Sequence, residues 1–285
     1  MATQCIIIRC KSVGKDEMAL FTVLRESFSE RDIFFSCDSE FDDHSNQYSL
    51  KNFLEKSELN VEVPTLGWRC GDHNFYSVYS KNEHYDYYWI IEPDVYLETN
   101  ELSALLDEVK DKTTDILIHG LTKQNPSWSW YNRYKSLFPQ DEIYGGLFAL
   151  VRLSNNAVSF LYEKRVGLAK HWSKNTLPAQ NYPNDEAFVC STLMNNGFTG
   201  DSFCITKNGY FNLCRKHISN IPQGVIAHPV YSNYGRIIEK EKQTLLASKN
   251  ASTTALSATM TKLLEQNNYD PELLTNLLNV VIEAQ

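Results

Sequence analysis

The chain lacks clustered cations. Lysine and arginine total 27 against 35 aspartates and glutamates, the formal net charge is −8, and no lysine-arginine block stands out. Affinity for a nucleic-acid backbone needs such clusters, so no nucleic-acid partner is expected. Metal-ribbon spacing is missing too. The 7 cysteines (Cys5, Cys10, Cys37, Cys70, Cys190, Cys204 and Cys214) include no CxxC pair, which argues against a zinc ribbon. They are odd in number and mostly sit in apolar runs, so they read as small buried residues of a reducing compartment. The opening MATQCIIIRC holds only a short apolar run, too short for a signal peptide or a membrane span. The expected location is therefore cytoplasmic. Neither a Walker A pattern nor GxGxxG occurs, which weakens NTPase and dinucleotide-binding readings.

What is present is an ordinary globular composition, 42% hydrophobic and 22% charged over 285 residues. That length suits one large domain with a small appendage. The first 120 residues alternate in type. Gln4–Arg9, Asp32–Cys37, Asn60–Val63, Tyr87–Ile91 and Asp115–His119 read as strands, and Lys15–Phe28, Leu50–Lys56, Asp72–Lys81 and Glu101–Lys110 as helices. Such alternation predicts an α/β fold, a mainly parallel sheet with helices on both faces. Beyond Gly120 the pattern changes. Leu121–Pro139 is aromatic and loop-like, Ile143–Leu153 reads as a strand and Asn155–Lys170 as a helix. Another helix begins near Pro183, with Asn184 or Asp185 at its cap. Ser202–Thr206 and Gly224–Ala227 are short strand candidates. Ala247–Thr261, rich in Ser, Thr and Ala, reads as a linker or a weak helix. Leucines from Leu263 to Leu278, with Val281 and Ile282, predict amphipathic helices, one starting at Pro271. Packing on the main domain is the plain expectation for this tail. Contact with a protein or a membrane surface is the other, although the tail lacks a cationic face.

The densest chemistry lies at Tyr85–Leu97, YDYYWIIEPDVYL. An apolar run, Tyr87 to Ile91, ends in Glu92 and Asp94 with Pro93 between them. Charge at a buried strand end needs a partner or a job, and ligands of open α/β sheets bind outside the carboxyl ends of strands. Pro93 biases Glu92 toward extended backbone. Residues i and i+2 of an extended segment point the same way, so both carboxylates can face one ion. Oxygen ligands suit Mg²⁺ or Mn²⁺ held over a diphosphate. The competing reading is an acidic turn capped by Asp94. Arg9 and Lys11 follow the first strand at the same edge, where a nucleotide is expected. Gly145 and Gly146 either let a ligand approach the backbone or bend a strand. Trp128, Trp130 and Tyr131 either stack on an acceptor sugar or plug a loop.

Residues Trp89–Tyr96 resemble the strand-plus-acidic motif of GT-A-fold glycosyltransferases, whose DxD-type signature binds metal and sugar nucleotide. The block from Trp68-Arg69-Cys70-Gly71-Asp72 to WIIEPDV is similar in layout. Glu92 stands where the strict pattern has its first Asp. Pro183-Asn184-Asp185-Glu186, followed by AFVCSTL, is similar to the acidic segment at a helix start in inverting GT-A enzymes, the branching N-acetylglucosaminyltransferases included. The resemblance places the catalytic base on Glu186 with Asp185 as its neighbour; helix capping is the competing reading. His228-Pro229, in GVIAHPVYSN, resembles a late position that supplies a metal or diphosphate contact.

Several expectations follow from the resemblance. The fold is a GT-A-like, Rossmann-type mixed sheet, mainly parallel and flanked by helices, with a C-terminal helical appendage. A catalytic domain spans 1–242, with a nucleotide-binding half at 1–120 and an acceptor half at 121–242; linker and helices follow at 243–285. Mn²⁺ or Mg²⁺ is held by Asp94, Glu92 and His228. A nucleotide-sugar donor meets Arg9, Lys11, Asp94 and Gly146. The sugar passes to a hydroxyl of a glycan or lipid-linked saccharide in surface-polysaccharide synthesis, at the inner membrane face if the acceptor is lipid-linked. Two rivals stay open: a metal-dependent nucleotidyl or phosphoryl transferase using the same strand end, and a non-catalytic glycan-binding module with a degenerate site.

Overall fold

A computed structural model describes residues 2–39, 46–63, 66–82, 84–175, 181–203 and 210–283. The chain forms two compact units, one of Met1–Pro93 with Leu102–Cys204 and one of Asp94–Glu101 with Ile205–Gln285.

The first unit is built on seven strands: β1 (Gln4–Cys10), β2 (Ile33–Cys37), β3 (Gln47–Ser49), β4 (Tyr87–Ile91), β5 (Ile116–Lys123), β6 (Tyr144–Ser154) and β7 (Gly200–Asp201). Their spatial order is β3-β2-β1-β4-β6-β5-β7. The pairs β1–β2, β1–β4, β2–β3 and β5–β7 are parallel. Only β6 runs against its neighbours, β4 and β5. The mixed, mainly parallel sheet is thus as the alternation predicts. Among the described residues eight helices accompany the strands: α1 (Lys15–Leu24), α2 (Leu50–Lys56), α3 (Leu66–Arg69), α4 (Asp72–Tyr79), α5 (Thr99–Val109), α6 (Tyr131–Lys135), α7 (Asn155–Asn175) and α8 (Asp185–Asn195).

The pleat explains why the central strands were visible. Cys5, Ile7, Tyr88, Ile90, Val151 and Leu153 share one core with Phe75 of α4, Leu161 and Leu168 of α7, and Phe188 of α8. The intervening Ile6, Ile8, Trp89 and Ile91 are buried as well, and the two-residue period turns them to the opposite face. A strand covered on both faces needs an unbroken apolar run. Arg152 of β6 is the exception, buried among these residues. Its guanidinium donates to the carbonyls of Val109 at 3.3 Å and Lys112 at 2.7 Å and lies 4.2 Å from the Tyr87 ring. It thereby satisfies carbonyls that the end of α5 would otherwise leave orphaned.

The second unit pairs β8 (Tyr210–His217) with β9 (Ala227–Tyr231) in parallel. Three helices, α9 (Tyr234–Ala251), α10 (Thr253–Gln266) and α11 (Pro271–Glu283), bury Ile237, Leu245, Leu263, Leu273 and Leu277 in one core. One open alternative is decided and three expectations are corrected here and in the first unit. Ala247–Thr261 is helix broken at one residue: Ser252 ends α9 and caps α10, accepting from the Ala255 N–H at 3.0 Å. Alanine is the best helix former, and burial of the flanking leucines holds what serine and threonine would weaken. Asn60–Val63 is not a strand; Val61 and Val63 enter the core from an irregular segment. The strand expected at Gly224–Ala227 starts only at Ala227. Ser202 and Phe203 lie outside any strand, and the rest of Ser202–Thr206 lies outside the described residues. Pro271 does open α11, with Asp270 accepting from the Glu272 N–H at 2.8 Å. Among the described residues no helix is long and apolar enough to cross a membrane.

Candidate active site

Strand register builds the first part of the site. Ile8 of β1 pairs with Ile91 of β4, so Arg9 and Glu92 come level at the carboxyl edge. Arg9 Nη1 lies 2.7 Å from Glu92 Oε1 and 3.4 Å from Asp185 Oδ2. Its Nη2 donates to the carbonyls of Gly67, at 2.8 Å, and Trp68. Asp185 also accepts from the Gly71 N–H at 2.8 Å. A Cβ on Gly71 would sit 2.1 Å from Arg9 Nη1 and 2.7 Å from Asp185 Oδ2, so no larger residue fits. Segments distant in sequence are thus locked together through one buried guanidinium.

Helix α8 starts at this cluster. Asn184 is its cap, accepting from the Ala187 N–H at 3.2 Å. Asp185 accepts from the Glu186 N–H at 2.8 Å. Capping therefore falls to Asn184 and leaves both carboxylates in the first turn, where the helix dipole favours negative charge. Burial pushes the Asp185 carboxyl up to about 8; Arg9 and the Gly71 N–H pull against it, while Glu186 and Asp72 push with it. Burial likewise pushes Glu186 up to about 7, with Glu92 adding to the rise and hydrogen bonds from Asn184, Trp130 and the Phe148 backbone opposing it. Burial disfavours the charge on Arg9, yet Glu92 and Asp185 hold it protonated.

These shifts have a sign. Both acids bind their protons more tightly in the folded state than in the unfolded chain, where carboxyls titrate near about 4. The stability they confer is complete below that value and is lost as pH rises through about 7 and 8. The thermal midpoint should fall between pH 5 and pH 8.5, and Asp185→Asn should flatten the fall. Calorimetry across that window checks this; a midpoint that rises with pH in the wild type would overturn it.

The remaining residues singled out in the sequence are placed as follows. Lys11 is exposed just past β1 and acts electrostatically on Asp38. Gly146 lies in β6, where a Cβ would come 3.0 Å from Ile118 Cγ2 and 3.1 Å from the His119 carbonyl oxygen. Its bareness serves close approach to β5. Trp128 packs over Gly145, 2.5 Å from the position of a Cβ. Trp130 lies 6.3 Å from Trp68 between ring centres, and Trp68 is 64% exposed. In the second unit, His228 Nε2 lies 3.5 Å from Asp94 Oδ1. Backbone bonds from Val230 N–H to Asp94 C=O and from Tyr96 N–H to Ala227 C=O, both 2.8 Å, hold these two residues in register.

Three features escaped the sequence reading. Asp72 and Arg165 form a fully buried ion pair, Nε to Oδ2 at 2.6 Å and Nη2 to Oδ1 at 3.0 Å. A signal existed: Arg165 falls on the same helical stripe as Leu161, Leu168 and Trp172, where a charge demands a partner. Trp68 is the second, an exposed indole beside Trp130, which hydrogen-bonds Glu186. Third, Cys70, Asp72 and His73 bring donor atoms within 4.8 Å of one another. Asp72 already accepts from Arg165 and from the Tyr76 hydroxyl at 2.8 Å. Burial pushes His73 down to about 4, leaving a neutral core imidazole.

No protein-family model and no curated protein matches the sequence. Among solved structures, the backbone is similar to a crystal structure of core-mannan synthase A from Aspergillus fumigatus in its manganese- and GDP-bound form. The match covers 71% of this chain and 73% of that one, at 8% identity and a TM-score of 0.34. A similarity that slight assigns no activity or residue role to this chain.

Proposed function

We propose that this chain transfers a sugar from a nucleotide-activated donor to a hydroxyl acceptor with inversion, and that Glu186 is the general base. The observation that carries the reading is the Asp185–Glu186 pair at the carboxyl edge of the sheet, with Glu186 half-buried and its proton affinity set near neutrality. A base works best when its pKa lies near the working pH. In the step, Glu186 takes the acceptor's hydroxyl proton. The acceptor oxygen bonds the anomeric carbon as the bond to the donor phosphate breaks, and the nucleoside diphosphate leaves with that electron pair. Asp185 orients Glu186 through its N–H bond, and Arg9 fixes Asp185 and Glu92. Arg9 thus has a positioning role rather than the donor contact expected of it, since its nitrogens face inward to four partners. Lys11, exposed just past β1, is the proposed cation for the diphosphate.

Asp94 and His228 are the proposed ligands of a divalent ion. The fit rests on Asp94 and His228, whose donor atoms converge at 3.5 Å, and a carboxylate with an imidazole suits Mn²⁺. When bound, the ion would neutralise charge on the departing diphosphate. The faces of Trp68 and Trp130 are the proposed platform for a glycan or lipid-linked saccharide, with the chain working in the cytoplasm. The test is thermal shift with UDP, GDP, dTDP and CMP, with and without Mn²⁺, on wild type and Asp94→Ala. Ligand at about 100 times its Kd should add about 2.7 kcal/mol. A manganese-dependent rise with one nucleotide, lost in Asp94→Ala, is expected. No rise with any of them would overturn the reading.

A further inference from the structure

One pair of reactive groups takes no part in the proposed transfer. Cys10 closes β1 and Cys37 closes β2, and the parallel register sets them directly opposite each other. Their sulfurs are 3.3 Å apart. Cys10 is 6% exposed and Cys37 1%, so the pair sits just under the carboxyl edge, one residue before Lys11 and Asp38. The distance between paired strands, about 4.8 Å, falls within the Cα separations that disulfides span, about 4.4–6.8 Å. Closing the sulfurs to about 2.05 Å needs side-chain movement of little more than an ångström, with the backbone pairing intact.

We propose that Cys10 and Cys37 are a thiol modification site that a two-electron oxidant of the peroxide class closes to a disulfide. Either thiol can donate its S–H to the other across this distance, and the step is written with Cys37 as the accepting sulfur and thiolate, the direction in which the Cys10 bond lowers its pKa. That thiolate attacks an oxygen of hydrogen peroxide, giving a sulfenic acid and hydroxide, which takes a proton to become water. The Cys10 sulfur then displaces the sulfenic hydroxyl, forming the S–S bond and a second water. Two thiol hydrogens and two electrons leave in the two waters formed from one peroxide. The bond would cross-link β1 to β2 around α1 and restrict the unfolded chain.

The experiment uses the full chain, reduced and then exposed to hydrogen peroxide, denatured in an alkylating reagent, and read by intact mass and peptide mapping. The expected product is lighter by two hydrogens and carries two fewer alkyl groups. It should contain a cross-linked peptide joining Cys10 to Cys37, revert with dithiothreitol, and melt several degrees above the reduced protein. The same treatment of Cys10→Ser should give no cross-link at Cys37. Alkylation of both cysteines after peroxide, or an oxygen adduct on either in place of the cross-link, would overturn the proposal. The readout is covalent and wild-type, so it stands apart from whether the chain transfers sugars.

Discussion

Arg165→Met will cost the first unit about 3–5 kcal/mol, the range for removing one partner of a buried ion pair. Arg165 and Asp72 are both fully shielded from solvent, and two short hydrogen bonds join them side by side, the fork geometry in which guanidinium and carboxylate bind most strongly. The same guanidinium donates to the Pro183 carbonyl at 3.0 Å and lies 3.8 Å from the Phe188 ring. Methionine replaces much of the volume but leaves the Asp72 carboxylate buried with, among the described residues, the Tyr76 hydroxyl as its remaining side-chain donor. Domains of this size hold about 5–15 kcal/mol in all, so the variant stands near the limit of folding. Adding Asp72→Asn removes the stranded charge and should recover much of the loss. Urea denaturation of wild type, single and double variants measures this. A single variant within about 1 kcal/mol of wild type would show the pair to be dispensable. Pro183 immediately precedes Asn184, Asp185 and Glu186, so the pair also anchors the segment that presents the proposed base.

The second large effect is catalytic and rests on the proposed function. Glu186→Gln should lower the transfer rate by about 10²–10⁴-fold, the contribution of a positioned base, with nucleotide binding retained. Glutamine keeps the shape and the acceptor for Asn184 but takes up no proton. In the wild type, kcat/KM should rise with pH as Glu186 ionises and level off above about 7. Rates of nucleoside diphosphate release across pH, for both proteins, test the two statements together. A Glu186→Gln enzyme retaining more than a tenth of the wild-type rate would remove Glu186 from the role.

By itself the sequence determined whatever depends on neighbours along the chain. The runs at Ile6–Ile8 and Tyr88–Ile91 declared strands buried on both faces. Alternation of those strands with helices declared the mainly parallel sheet, and Asn184-Asp185 and Asp270-Pro271 marked two helix starts. Periodicity and capping are local properties, legible within a dozen residues. The tertiary structure alone decided that β6 inserts between β4 and β5 against their direction. It alone decided that Arg9 turns to Glu92 and Asp185, 83 and 176 residues away, and that Arg165 meets Asp72 across 93. It decided too that the Ser- and Thr-rich tail is helical, because burial of its leucines outweighs weak local propensity. The proton affinities of Asp185 and Glu186 belong to the same class. A carboxyl group's pKa depends on the water it has lost and the charges folded around it, and neither exists until distant segments meet.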